Sequence, residues 1–328
     1  MPAIQTTNLT KRFGEVTAVD DLTVSVDSGE VFGLLGPNGA GKSTTLNMLC
    51  TIVKPTSGSA EVNSYDLRRQ PDEVRKSIGI VFQDPSLDNR LTGRENLTMH
   101  AELYGVNRSL YKRKIDELLK LVELDSRADE LVKNYSGGMK RRLEIARGLI
   151  HKPKVLFLDE PTIGLDPQTR AKIWDYVKRL AGEEDITIVL TTHYMEEAQF
   201  LCDRVGIIDH GRIVALGTPT ELIREVGEDV VSLKLEDASR AGEFKALGFV
   251  KKVQAGDTVR LVIDDGASSI PKVCDFAAKN GIKILSLELR TPTLNDVFLH
   301  HVGREMREEH ADGKDRLKMH MRAHERTR

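Results

Sequence analysis

The chain has 328 residues, with 48 Lys plus Arg against 50 Asp plus Glu and a formal net charge of −2, which argues against a bulk nucleic-acid binder. Hydrophobic residues make up 40% and charged residues 30%, the profile of a globular chain with length for about two domains and a real core. No run approaches the ~18 apolar residues of a membrane span, and MPAIQTTNLTKRFG carries no apolar secretory segment. Cys50, Cys202 and Cys274 are odd in number and far apart, which fits reduced packing residues in a cytosolic chain.

In chain order, strand-sized apolar runs occur at 30–35 (EVFGLL), 78–82, 154–158 (KVLFL), 186–191, 204–209 and 212–216. The run 155–158 is apolar throughout, as expected of a strand covered on both faces in a parallel sheet. Helical spacing covers 42–53 (Leu46, Leu49, Cys50, Val53) and 137–150 (Met139, Leu143, Ala146, Ile150). Strand–helix alternation predicts an α/β domain over 1–225. Residues 94–133 read as helix after helix, a helical insertion within about 90–150. From 226 to 303 the order β-α-β-β-α-β predicts a small α+β, ferredoxin-like module, with strands 229–236, 248–253, 258–264 and 282–289 and helices 238–246 and 269–280. Residues 304–328 are almost all polar and read as a solvated tail. Its His310, His320 and His324 lack a Cys partner and make a poor metal site.

The segment Gly36-Pro37-Asn38-Gly39-Ala40-Gly41-Lys42-Ser43-Thr44 matches G-x-x-x-x-G-K-[ST] between an apolar strand and a helix. Glycines let the backbone approach a phosphate, and successive N–H groups with the helix N-terminus face the anion. Lys42 is expected to reach the β- and γ-phosphates of ATP, and the Ser43 hydroxyl to ligate Mg²⁺. A bare Gly-rich turn is the plainer alternative. Asp159 and Glu160 follow the apolar strand, at the sheet edge where ligands bind. Asp159 is expected to hold Mg²⁺, directly or through one of its ligands, and Glu160 to orient the attacking water as general base. Standing alone, the pair would read as a solvated loop.

The sequence SGGM at 136–139, after Tyr135, resembles the signature motif of ATP-binding cassette (ABC) proteins. Together with the phosphate loop, the 154–160 segment, PTIGLDP at 161–167, Gln83 and His193, it makes residues 1–225 look like a complete ABC ATPase. The resemblance implies a P-loop NTPase fold and a dimer, of identical chains or of paired cassettes. In it Ser136, Gly137 and Gly138 of one chain contact the γ-phosphate held by the other. Ser136 reads equally as an ordinary helix N-cap. The resemblance further implies that Gln83 senses Mg²⁺ and water and that His193 contacts the γ-phosphate. Asp166 crosses the dimer interface, and Phe13 stacks on adenine. Phe13 could instead be a core aromatic.

Two positions depart from the common pattern: Tyr135 replaces Leu and Met139 replaces Gln. YSGGMKRRLEIAR instead resembles the subgroup paired with ABC-2-type membrane subunits, of which the daunorubicin/doxorubicin-resistance ATPases are the best-known members. TPTLNDVFLHHVG at 291–303 resembles a segment that closes the C-terminal domain there. Leu294, Val297, Phe298 and His301 share a face, which predicts a docking helix. The resemblance implies an exporter of a drug, lipid or similar amphipathic cargo. It places the chain on the cytoplasmic face of the membrane beside a separate permease subunit, which is met near Asp84–Leu97. No nucleic-acid partner is expected: Lys140, Arg141 and Arg142 read as a solvated helix face. A soluble ABC ATPase acting on ribosomes or DNA is the competing class. Such proteins usually fuse two cassettes or insert a long coiled coil, and this chain has neither.

Overall fold

Alternating inward positions along the first 62 residues build an antiparallel sheet in the computed structural model, which describes residues 2–184, 186–256 and 258–303. Strands β1 (Pro2–Phe13), β2 (Val16–Leu22) and β3 (Ser25–Asp27) lead to β4 (Val31–Leu35) and helix α1 (Lys42–Leu49). After these, β5 (Ser57–Val62) and β6 (Tyr65–Asp66) return to β1, giving the order β2-β1-β5-β6 with β3 also on β1. The strand candidates read from sequence omit this sheet for a physical reason. Two inward positions of β1 are Thr6 and Thr10, both buried. The Thr6 hydroxyl donates to the Leu22 carbonyl at 3.0 Å and accepts from the Val24 N–H at 2.8 Å, so a polar residue sits in the core fully partnered. Helix α1 stops at Leu49 instead of reaching 53, because Thr51 adopts a left-handed φ of +61°.

The chain continues through α2 (Pro71–Ser77), β7 (Ile78–Val81), α3 (Gly93–Leu103), α4 (Arg108–Leu121), α5 (Gly137–Gly148), β8 (Val155–Asp159), α6 (Pro167–Glu184), β9 (Thr187–Thr192), α7 (Met195–Leu201), β10 (Arg204–Asp209), β11 (Arg212–Gly217) and α8 (Pro219–Val226). Helices α3 and α4 follow one another without a strand between, as the sequence predicts. Reciprocal bonds between Thr92 and Glu95 cap the first, and Asn107 caps the second. Strands order as β11-β10-β4-β9-β8-β7 in a second sheet, parallel except for the antiparallel edge strand β11. In β8, Leu156 and Leu158 enter the core cluster shared with α3–α7, while Val155 and Phe157 enter the cluster under α1 and the antiparallel sheet. Burial on both faces is what an unbroken apolar run provides.

A third cluster lies in the last third of the chain. Strands β12 (Asp229–Leu235), β13 (Val250–Gln254), β14 (Val259–Ile263) and β15 (Ile284–Arg290) order as β13-β14-β12-β15, antiparallel throughout. One face is covered by α9 (Gly266–Lys279) and by Ala238–Ala246. The latter is a 3₁₀ rather than an α-helix: its two buried residues, Ala241 and Phe244, are three apart and eclipse in that geometry. Helix α10 (Leu294–Val302) does not join this cluster. Its buried Leu294, Val297 and Phe298 pack with Leu222 of α8 and Leu201 of α7 in the core of the first two-thirds. His301, placed on that face by spacing, is exposed. Val297→Ala removes buried methyl groups and is expected to lower the stability of the larger unit by about 2 kcal/mol. The midpoint of urea unfolding reads this, and His301→Ala should leave it unmoved. The readings for 304–328, with His310, His320 and His324, lie outside the described residues.

Candidate active site

Four neighbouring parallel strands, β4, β9, β8 and β7, end in register, with Leu35 opposite Thr192, Thr191 opposite Asp159, and Leu158 opposite Val81. Everything that leaves their C-terminal ends therefore converges: Gly36–Gly41 after β4, His193 after β9, Glu160 after β8 and Gln83 after β7. The path of the first loop depends on glycine at two points. A Cβ at Gly36 would lie 2.3 Å from the Ile208 carbonyl oxygen, and one at Gly41, where φ is +106°, would lie 2.4 Å from that of Ala18. No side chain caps α1, so the first N–H groups of the helix remain directed into the loop. Ala40 is buried beneath it, Asn38 and Gly39 are exposed, and Pro37, Ser43 and Thr44 are half-buried.

Lys42 lies inside this loop. Its Nζ donates to the Gly36 carbonyl at 2.8 Å and the Pro37 carbonyl at 3.1 Å, and it lies 3.4 Å from Glu160 Oε1. Burial pushes the Lys42 pKa down, and the Glu160 carboxylate pulls it back part of the way. Ser43 Oγ donates to Asp159 Oδ1 at 3.1 Å, and Thr191 Oγ1 donates to the same oxygen. Burial still leaves the Asp159 carboxyl above its ordinary range, against the pull of these two hydroxyls. The neighbouring carboxyl behaves in the opposite way. Glu160 is equally buried, which would raise it, but His193 Nδ1 at 3.3 Å and the Lys42 ammonium outweigh burial and hold it below the usual value. Gln83 Nε2 donates to the other Glu160 oxygen at 3.3 Å.

Other candidates sit elsewhere. Phe13 is 51% exposed at the end of β1, opposite Val16, with the Lys11 ammonium 4.7 Å from its ring centre. The core-aromatic reading is therefore wrong. Ser136 caps α5, accepting from the Met139 N–H at 3.2 Å, and Gly137 is exposed. A Cβ at Gly138 would meet Thr169 Cγ2 at 2.4 Å. Asp166 caps α6 through the Thr169 hydroxyl at 2.6 Å and N–H at 3.0 Å, which hold its carboxyl below the usual range. Among the described residues, no hydrogen bond joins Ser136, Gly137, Gly138 or Asp166 to Gly36–Thr44. Tyr135 accounts for its departure from leucine: its ring is buried and its hydroxyl donates to the Arg127 carbonyl at 2.7 Å.

The Lys140–Arg142 run is not a solvated face. Lys140 bonds Asn89 at 3.0 Å, Arg142 donates to the Val122 carbonyl at 2.9 Å, and Arg141 is buried, because α5 is covered by α3, α4 and the sheet. The sequence also gave no warning of Thr191 or Glu197. Thr191 Oγ1 accepts from the Glu160 N–H at 3.0 Å. Glu197, fully buried on α7, accepts from Thr162 at 2.7 Å and Trp174 at 2.9 Å, and burial pushes its carboxyl up.

Comparison with known proteins agrees with this geometry. The family described as "ABC transporter" matches residues 19–163, and "ATP-binding protein DrrA1-3-like, C-terminal domain" matches 217–302. The chain is 39% identical to the linearmycin resistance ATP-binding protein LnrL of Bacillus subtilis, over 93% of this chain and 100% of that protein. It is 39% identical to the daunorubicin/doxorubicin resistance ATP-binding protein DrrA of Streptomyces peucetius, over 92% of each. It is 40% identical to the Nod factor export ATP-binding protein I of Ralstonia nicotianae, over 94% of this chain and 96% of that one. Among solved structures, cbiO1 of Clostridium perfringens, part of an ABC transporter complex, superposes with a TM-score of 0.63 at 31% identity, covering 69% of this chain and 94% of that one. A dimeric cassette in a post-hydrolysis state with ADP and Pi gives 0.60 at 30% identity, over 66% of this chain and 98% of that one. On these matches and this site, the chain belongs to the ATP-binding proteins of ABC transporters, as an ATPase that carries a DrrA1-3-like C-terminal domain.

Proposed function

We propose that this chain is the ATPase subunit of an ABC-2-type exporter, and that two cassettes close on two ATP molecules to drive cargo through a separate permease. One observation carries the dimer. Lys42, Glu160, Gln83 and His193 gather at one sheet edge, whereas Gly138 and Asp166 meet at Thr169, with Ser136 and Gly137 next to Gly138 at the start of α5. A complete site then takes the phosphate loop of one cassette and the signature of the other.

In this reading the Gly36–Thr44 backbone and Lys42 hold the phosphates, and Phe13 offers its exposed face to adenine. Glu160, ionised at neutral pH, accepts a proton from the water that attacks the γ-phosphorus, and His193 and Gln83 hold that carboxylate and the water in line. The oxygens of Ser43 and Asp159, already 3.1 Å apart, suit a hard divalent cation, with the Gln83 side-chain oxygen as a third ligand. Bound Mg²⁺ would neutralise charge that develops on the phosphate oxygens. Closure stores work as the difference in affinity of ATP and ADP for closed and open dimers.

No helix among the described residues is long and apolar enough to cross a membrane. In this reading the translocation path is that of the separate permease. We place the chain peripherally on the cytoplasmic face, with the segment from Asp84 into α3 against the permease. We set the boundary between cassette (1–225) and C-terminal module (226–303) at the end of α8. We take the cargo to be a drug, lipid or similar amphiphile; the relatives named for linearmycin and daunorubicin/doxorubicin resistance and for Nod factor export support an exporter. A pull-down of the tagged chain from native membranes in mild detergent, read by mass spectrometry, tests this. A polytopic membrane protein should co-purify. Recovery of ribosomal or DNA-repair proteins alone would overturn the transport reading.

A further inference from the structure

The helix that begins at the signature carries two buried charges that the hydrolytic steps above do not use. Arg141 and Glu144, one turn apart on α5, are 6% and 0% exposed, and Arg141 Nη1 donates to Glu144 Oε2 at 3.2 Å. The remaining guanidinium donors reach three backbone carbonyls. Nε donates to Pro161 O at 2.7 Å, Nη2 to Asp159 O at 2.8 Å, and Nη1 also to Phe82 O. The other Glu144 oxygen accepts the Ser86 N–H at 2.8 Å. The pair therefore grips the peptide on both sides of Glu160 and the chain on both sides of Gln83.

Glu160 needs such a grip. Its φ is +44°, left-handed backbone that a glutamate adopts only where its surroundings enforce it. Thr191 takes the Glu160 N–H. Arg141 takes the carbonyl before Glu160 and the carbonyl one residue after it. A planar guanidinium has five donors in a fixed fork and can span these acceptors, whereas an ammonium is a single point charge. A buried ion pair is also a poor device for stability alone, since apolar residues of like volume fold as well or better. Its carbonyl contacts give it a different use.

We propose that Arg141, seated by Glu144, is a positioning residue for ATP hydrolysis: it fixes the backbone that aims Glu160 and ties the Gln83 loop to the same helix. This rests on the assignment of Glu160 as general base. Because α5 starts at Ser136-Gly137-Gly138, the helix that meets the ATP of the other cassette is bonded to the residues on either side of the base and to the Gln83 loop of its own site. Engagement of one ATP thus sets the carboxylate that hydrolyses the other.

The test is steady-state ATPase kinetics of the full chain, with binding of a non-hydrolysable ATP analogue measured separately. Arg141→Ala strands the buried Glu144 carboxylate, so a loss of fold there would not test the proposal. Arg141→Lys keeps the charge and loses the fork. The double variant Arg141→Met/Glu144→Leu removes both charges and decides the matter if the lysine variant does not fold. In either, kcat should fall by on the order of 100-fold, the effect of misplacing a reacting group by about 1 Å. Analogue affinity should stay within about twofold, since binding and chemistry separate for a group that acts only on the chemical step. Glu144→Gln, whose one amide oxygen can replace only one of the two carboxylate oxygens that accept from Ser86 and Arg141, should fall between. A folded variant with wild-type kcat overturns the proposal. So does one in which affinity falls as far as kcat, because that marks a packing role for the whole site. Glu160→Gln run in parallel separates the two readings. If it is inert while Arg141→Lys turns over normally, only the positioning role fails; if it turns over normally, the base assignment has failed.

Discussion

Glu160→Gln is expected to lower ATP turnover by about 10²–10⁴-fold, the usual contribution of a positioned general base, while ATP still binds. The amide keeps the size of the side chain and can still meet Gln83 and His193, but it cannot take a proton from water. Lys42, whose two carbonyl contacts do not involve Glu160, stays in the loop. With binding intact and hydrolysis removed, ATP-driven association has no exit, so gel filtration with ATP should show a dimer that the wild type forms only transiently. Wild-type turnover in this variant would remove Glu160 from the mechanism. The pH profile carries a second signature. The Glu160 carboxyl lies below its ordinary value of 4.5 because His193 and Lys42 outweigh burial. A carboxyl depressed on folding adds stability above its unfolded pKa and gives it up as pH falls through the lower folded value. The wild-type base therefore stays ionised through the ordinary carboxylate range, and turnover should not decline there on its account.

The phosphate loop and the Asp159-Glu160 pair stand out in the sequence because each follows an apolar strand and carries its own chemistry, whereas Gln83 and His193 enter only through the family resemblance. A parallel sheet then has no choice but to bring its strand ends together. The antiparallel sheet was not legible, since Thr6 and Thr10 occupy core positions and hydropathy cannot report that their hydroxyls are satisfied. Arg141 was misread for the opposite reason. In the sequence it is one of three consecutive cations, and only the packing of α5 separates it from Lys140 and Arg142. The spacing in α10 marks Leu294, Val297 and Phe298 as a buried face, though not the exposed His301, and a shared face does not say which core it enters. Leu294, Val297 and Phe298 turned out to fasten the last helix to the cassette, beside α7, the helix that follows His193. The C-terminal module is thereby tied at both of its ends to the larger unit, through α8 and through α10.

Lys42→Ala is expected to weaken ATP binding by about 2–5 kcal/mol, or roughly 30- to 4,000-fold in Kd, the scale for truncating one partner of a desolvated charge pair. The argument rests on where the ammonium sits. It is buried among the loop carbonyls of Gly36 and Pro37, and burial has already pushed its pKa down. A cation stripped of water in this way attracts phosphate far more strongly than one in solvent. The loop itself should survive the change, because backbone bonds that do not involve the lysine side chain hold it: the Gly36 N–H donates to the Thr192 carbonyl at 3.2 Å and the Gly211 N–H to the Ala40 carbonyl at 2.9 Å. What does change is the neighbouring carboxylate. Without Lys42, one of the groups that depress Glu160 is gone, so its pKa rises toward the value that burial favours. Lys42→Arg is the informative companion. It restores the charge, but a planar fork cannot occupy the space of a single ammonium between two carbonyls, so affinity should recover only in part. Calorimetric titration with a non-hydrolysable analogue measures all three proteins. A folded Lys42→Ala chain that binds as tightly as the wild type would show that the backbone N–H groups alone hold the phosphates.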